Sequence, residues 1–219
     1  MSFEYGAAIF DLDGTLTDSA PGITASIAYA LDRHGVPRPA PARLARCVGP
    51  PLRETFADLA GSDDPVRIAA LISAYRERFA TVGLFENAVY PGVGQLLADL
   101  RQAGLALAVA TAKPGVYARR ILRHFGLADA FTAVVGSYLD GRRSDKPALV
   151  GEALRRLGRP GASAAVIGDR RQDVSGAKAW GAAAVGALWG YGGAEELTAA
   201  GADCLCADPD AVRRFLLRA

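Results

Sequence analysis

Little in this 219-residue chain is set aside for cross-links or soft metals. Its three cysteines, Cys47, Cys204 and Cys206, are odd in number and lack the spacing of a disulfide framework. Cys204 and Cys206 share a face of a short strand, but with only two histidines in the chain they make a poor zinc site and read as structural thiols. No apolar run approaches the ~18 residues of a membrane span, and the N-terminus lacks a basic stretch followed by an apolar one. Charge of one sign is not in excess. The net charge is +2 with both signs mixed along the chain, which gives no support to a polyanionic partner. The 25 glycines and 12 prolines are spread out, so no low-complexity linker stands out. These absences leave a soluble globular protein in a reducing, cytoplasmic setting, with no nucleic-acid or membrane partner.

Hydrophobic residues make up 51% and charged residues 22%, enough for a sizeable core in one large domain or a domain with an insert. Ala7–Phe10 is a short apolar run that reads as a buried strand. From about residue 20 to 82 the apolar spacing is helical throughout: Pro21–His34, Leu44–Val48, Leu52–Leu59 and Pro65 to about Thr81. The pattern changes at Tyr90. Strands at Leu105–Ala110, Phe131–Val135, Ala164–Ile167, Ala183–Leu188 and Cys204–Cys206 then alternate with helices. The helices are Val93–Ala103, Pro114–Phe125, Pro147–Leu157, Val174–Trp180 and Pro209–Leu217. Continuous apolar strands alternating with helices predict an α/β fold, a parallel Rossmann-like sheet covered by helices on both faces. The expected division is a core domain from 1–18 and 84–219, with a helical domain inserted over 19–83 that could form a lid.

In such sheets ligands bind beyond the carboxyl ends of the strands, and the polar residues of interest fall there. Asp11 and Asp13 leave the first strand two apart, so their carboxylates converge, and Gly14 then lets the backbone turn sharply or approach a ligand closely. Such a pair either marks an acidic turn or performs chemistry, with one carboxylate attacking an electrophile and the other moving protons beside a hard cation. Thr111, followed by Ala112 and Lys113, closes an apolar strand and reads either as a helix N-cap or as part of a phosphate cradle. Lys113 is expected to be solvated. Lys146 precedes a helix, either as a surface lysine or as a cation neutralising a phosphate. Asp169 sits at a strand tip and Asp173 at the start of the following helix. Each is either a helix-terminal acid or, with Asp11 and Asp13, part of a carboxylate cluster suited to Mg2+.

Taken in order, Asp11-Leu12-Asp13-Gly14-Thr15, Thr111, Lys146-Pro147 and Gly168-Asp169-x-x-x-Asp173 resemble the four motifs of the haloacid dehalogenase-like hydrolase superfamily, across essentially the whole chain. Asp18-Ser19, Gly49-Pro50-Pro51-Leu52, Tyr90-Pro91-Gly92-Val93 and Trp189-Gly190-Tyr191-Gly192, with the helical insert, resemble its phosphoglycolate phosphatase-like branch, including members described as 5′-nucleotidases. The resemblance implies a Mg2+-dependent phosphatase acting on a small phosphorylated metabolite: phosphoglycolate, a nucleoside 5′-monophosphate or a sugar phosphate. Asp11 would take the phosphoryl group as an aspartyl-phosphate, and Asp13 would protonate the leaving oxygen and deprotonate the water. Thr111, Ala112 and Lys146 would bind the phosphoryl group. Asp11, Asp169 and the carbonyl of Asp13 would ligate Mg2+, supported by Asp173. Arg53, in the helical insert, is a further candidate substrate contact. The second acid at Asp13 argues against dehalogenation, and the absence of lysine from residues 20–82 against a Schiff-base phosphonatase. A β-phosphoglucomutase-like mutase is the alternative, and a non-enzymatic receiver-like module a more distant one. A monomer or homodimer is expected.

Overall fold

The computed structural model describes residues 5–218. Its contacts divide the chain into two units, one holding the described residues up to Asp18 and from Val89 onward, the other Ser19–Ala88.

The first unit is built on a six-stranded sheet of β1 (Ala7–Phe10), β4 (Ala106–Pro114), β5 (Ala133–Ser137), β6 (Ala164–Gly168), β7 (Ala183–Ala187) and β8 (Cys204–Cys206), in the order β5-β4-β1-β6-β7-β8. Every pairing between neighbours is parallel. β1 is central, with Ala7 opposite both Ala106 and Ala164. Its four residues are all buried, so both faces are covered and no alternation of polarity is possible. Ala7 and Ile9 point into one core layer with Ala108, Ala110, Val166 and the apolar faces of α7 (Lys146–Leu157) and α8 (Arg171–Lys178). Ala8 and Phe10 point the opposite way, and Phe10 meets Phe131 edge-on at 6.3 Å. The remaining helices are α5 (Val93–Gln102), α6 (Gly115–His124), α9 (Ala194–Ala199) and α10 (Pro209–Leu216).

The second unit is helical, as its spacing predicts: α1 (Ala20–Arg33), α2 (Pro41–Ala45), α3 (Leu52–Ala60) and α4 (Pro65–Arg78). Pro65 opens α4, and the Asp64 carboxylate caps it by accepting the Val66 N–H at 3.0 Å. α4 continues into a π-helical turn, Phe79–Gly83, which periodicity does not predict. In the core of this unit Phe56 meets Tyr75 edge-on with centroids 6.2 Å apart, and Tyr75 stacks on Phe79 at 5.1 Å. The two-residue strands β2 (Thr17–Asp18) and β3 (Ala88–Val89), one ending the first stretch of the α/β unit and the other spanning the point where the chain re-enters it, are also unpredicted.

Several boundaries differ from those the periodicity predicts, and α8 starts at Arg171 rather than Val174. α2 lies three residues earlier than expected, because Pro41 rather than Leu44 opens it. β5 runs two residues later, after a 3-10 turn at Ala128–Ala130. β4 does not end at Thr111 but continues to Pro114 through a shift of register against β5, and α6 starts only at Gly115.

Candidate active site

The carboxyl ends of β1, β4 and β6 converge with the start of α7. The Asp11 N–H still donates to Ile167 O at 2.9 Å, so the residue stays anchored to β6 as it leaves the sheet. The chain then doubles back tightly, with Leu16 N–H donating to Leu12 O at 2.9 Å and Gly14 N–H to Thr17 O at 2.8 Å. Gly14 has φ +83°, and a Cβ there would lie 2.3 Å from Asp169 Oδ2. Only glycine permits both that conformation and that approach.

Lys146, the first residue of α7, is buried in the centre of this group. Its ammonium is 2.9 Å from Asp11 Oδ1 and 2.6 Å from Asp173 Oδ1, and donates to Ala110 O at 3.0 Å. Two carboxylates and a carbonyl therefore surround the ammonium and offset the cost of desolvating it. Burial alone would lower the Lys146 pKa, but Asp11 and Asp173 more than reverse this and hold it well above its ordinary value. Asp173 is the third residue of α8. Its other oxygen accepts the Arg170 N–H at 3.0 Å, so it caps the helix as well as pairing with the lysine. Burial lifts its carboxyl above the ordinary range, against the pull of Lys146.

Asp169 is fully buried. Its Oδ1 accepts the Thr15 hydroxyl at 3.3 Å and its Oδ2 the Tyr191 N–H at 2.8 Å. Burial pushes its carboxyl up to about 7, with the charges of Asp11 and Asp173 adding to the effect. One carboxylate oxygen from each of Asp11, Asp169 and Asp173 lies within 4.8 Å of the other two. An all-oxygen set of acids is the donor chemistry of a hard divalent cation.

Thr111 is buried, but it is no helix cap. It lies within β4, and its Oγ1 accepts the Lys113 N–H at 3.2 Å. The register shift leaves Ala112 exposed and turns Lys113 inward. The expectation that Lys113 is solvated is therefore wrong: its side chain is 5% exposed and its ammonium lies 3.2 Å from Asp13 Oδ1. The scarcity of lysine is the signal available in sequence. Only Lys113, Lys146 and Lys178 among 25 basic residues are lysine, and two of them are in this site.

The loop after β7 matters more than its sequence suggests. A Cβ at Gly190 would lie 2.4 Å from Asp169 Cβ, so the loop presses directly on that acid. The Trp189 indole N–H donates to Thr15 O at 3.0 Å, and the Tyr191 hydroxyl to Asp18 Oδ1 at 2.9 Å. Nearby, burial and the Asp18 charge push the Tyr90 phenol up to about 12. Trp180 is half exposed, and its indole N–H donates to Pro147 O at 2.7 Å. Arg53 belongs to the helical unit and is exposed on α3. Arg142 and Arg143 pair with Asp140 and Glu152, and Arg170 with Glu196.

Acids and ammonium groups therefore gather at the strand ends of an α/β scaffold. The profile of the haloacid dehalogenase-like hydrolase family matches residues 8–187, and the chain belongs to that family as a phosphatase. A 5′-nucleotidase of Pseudomonas aeruginosa is 43% identical over 215 residues, 98% of this chain and 97% of that protein. Tyrosine-protein kinase PtkA of Mycobacterium tuberculosis is 44% identical over 187 residues, which cover 85% of this chain and 63% of PtkA. The crystal structure of a predicted phosphatase from Clostridium acetobutylicum superposes with a TM-score of 0.90 at 40% identity, covering 97% of this chain and 98% of that one.

Proposed function

We propose that the chain is a Mg2+-dependent phosphomonoesterase that hydrolyses a small phosphorylated metabolite through an aspartyl-phosphate on Asp11. The observation that carries this is the pairing of Asp11 with Lys146 at 2.9 Å in a group that also brings Asp169 and Asp173 together. Asp11 attacks phosphorus as the bond to the leaving oxygen breaks, and Asp13 gives that oxygen its proton. Water then attacks the phosphorus of the aspartyl-phosphate, Asp13 takes the water's proton, and inorganic phosphate leaves with Asp11 restored. Lys146 holds a phosphoryl oxygen while fixing the nucleophile, and Thr111 with the Ala112 backbone holds another. Asp11, Asp169 and the Asp13 carbonyl, supported by Asp173, would hold Mg2+, which supplies positive charge to the phosphoryl oxygens. Such a reaction needs positioning and charge neutralisation more than any other contribution.

The likeness to a 5′-nucleotidase favours nucleoside 5′-monophosphates within the substrate class. Phosphate release from a panel of nucleoside monophosphates, phosphoglycolate and sugar phosphates, with Mg2+ present, tests this. Turnover of nucleoside monophosphates above the others supports the reading, and a bisphosphate requirement without net phosphate release would instead establish a mutase. The PtkA likeness adds a control: incubation with ATP and a tyrosine peptide should give no phosphotyrosine.

A further inference from the structure

Lys146 already pairs with Asp11 and Asp173 and donates to Ala110 O. The site nevertheless commits a second ammonium to Asp13. A buried lysine is costly unless its charge is matched, and Lys113 is buried with its Nζ 3.2 Å from Asp13 Oδ1. Its backbone is pinned as well, since its N–H donates to Thr111 Oγ1 at 3.2 Å. The shift of register between Thr111 and Pro114 is what aims it inward. A β-bulge commonly re-aims a side chain in this way beside an active site.

We propose that Lys113 is a positioning residue for Asp13. By holding Oδ1 it fixes the plane of the carboxyl group and leaves Oδ2 to exchange the proton. This rests on the reading of Asp13 as the proton carrier. In the first step the proton passes from Asp13 Oδ2 to the leaving oxygen as the P–O bond breaks. In the second it returns to Oδ2 from the water whose oxygen bonds to phosphorus. An ammonium suits this role because it is a compact point charge on a flexible stem, which an arginine fork does not reproduce.

Misplacing Asp13 should therefore hurt in proportion to the leaving group's need for a proton. An alkoxide leaves poorly without one, whereas p-nitrophenolate leaves readily. The experiment compares Lys113→Met and Lys113→Gln with the parent enzyme, with Mg2+ present, following first-turnover release of glycerol from glycerol phosphate and of p-nitrophenol from p-nitrophenyl phosphate. The expected result is a rate loss about 10- to 100-fold larger for the alkyl substrate, with KM little changed and partial recovery in Lys113→Arg. In an Asp13→Asn background, Lys113→Met should add no further preference between the substrates. Equal losses on both substrates, a loss confined to KM, or a preference that persists in the Asp13→Asn background would each overturn the proposal. If Asp13→Asn discriminates between the substrates and the Lys113 variants do not, the proposal alone fails. If Asp13→Asn slows both equally, the reading of Asp13 fails and takes the proposal with it.

Discussion

The α/β unit buries four charged side chains, Lys113, Lys146, Asp169 and Asp173, among the described residues. The polar side chains buried in the helical unit, Ser19, Ser26 and Thr55, are all hydroxyls. Its ion pairs Arg33–Glu77 and Arg43–Asp58 lie largely exposed, and Arg78–Glu86 is only partly covered. Buried charge is unfavourable and is retained where it serves a function, so the contrast separates a unit built for chemistry from one held together by aromatic and aliphatic packing.

Substitutions in the two units should differ accordingly. The largest effect is expected from Asp11→Asn, which should lower turnover of an aryl phosphate by about 10^4-fold or more without unfolding the protein, as checked by circular dichroism. Next comes Lys146→Met. It leaves Asp11 and Asp173 buried without their cation, and removal of one partner from such a group costs about 3–5 kcal/mol, to be read from urea unfolding.

Asp169 gives a pH signature in the metal-free protein. Its carboxyl lies at about 7, against an ordinary value of 3.8. Between those values the folded state binds more protons than the unfolded one. Its contribution to stability is therefore full below about pH 4 and is lost as pH rises through 7. Asp169→Asn should flatten that slope in urea midpoints measured across the range. Mg2+ added near pH 6.5 to the parent protein should expel protons into a weakly buffered solution, and the variant should expel fewer.

The smallest effects should come from the helical unit's surface. Arg33→Ala should leave the melting midpoint unchanged within error, since exposed pairs add little. Arg53→Ala should alter KM for the physiological substrate while sparing kcat on an aryl phosphate.

Much of the fold and site is legible in sequence because the information is local. Ala7–Phe10 followed by two acids and a glycine requires a buried strand that ends in a tight turn, and the same logic places Lys146, Asp169 and Asp173 at strand or helix ends. What is not legible depends on contacts distant in the chain. Lys113 reads as a surface lysine until a shift of register against β5 turns it inward. The glycines and N–H groups of the Trp189–Gly192 loop gain meaning only once Asp169 lies beneath them, with the Tyr191 N–H 2.8 Å from its Oδ2. The π-helical turn of the helical unit likewise leaves no mark on apolar spacing, because it alters the winding of α4 without changing which residues are apolar.

The proposed aspartyl-phosphate can be trapped directly. Enzyme mixed with a 32P-labelled substrate and Mg2+, quenched in acid within the first turnover, should carry label on protein. Borohydride reduction of that protein should convert residue 11, and no other aspartate, to homoserine. Label confined to Asp11 is the predicted result. Product forming at full rate with no labelled protein, or with label on another residue, would contradict the proposed mechanism.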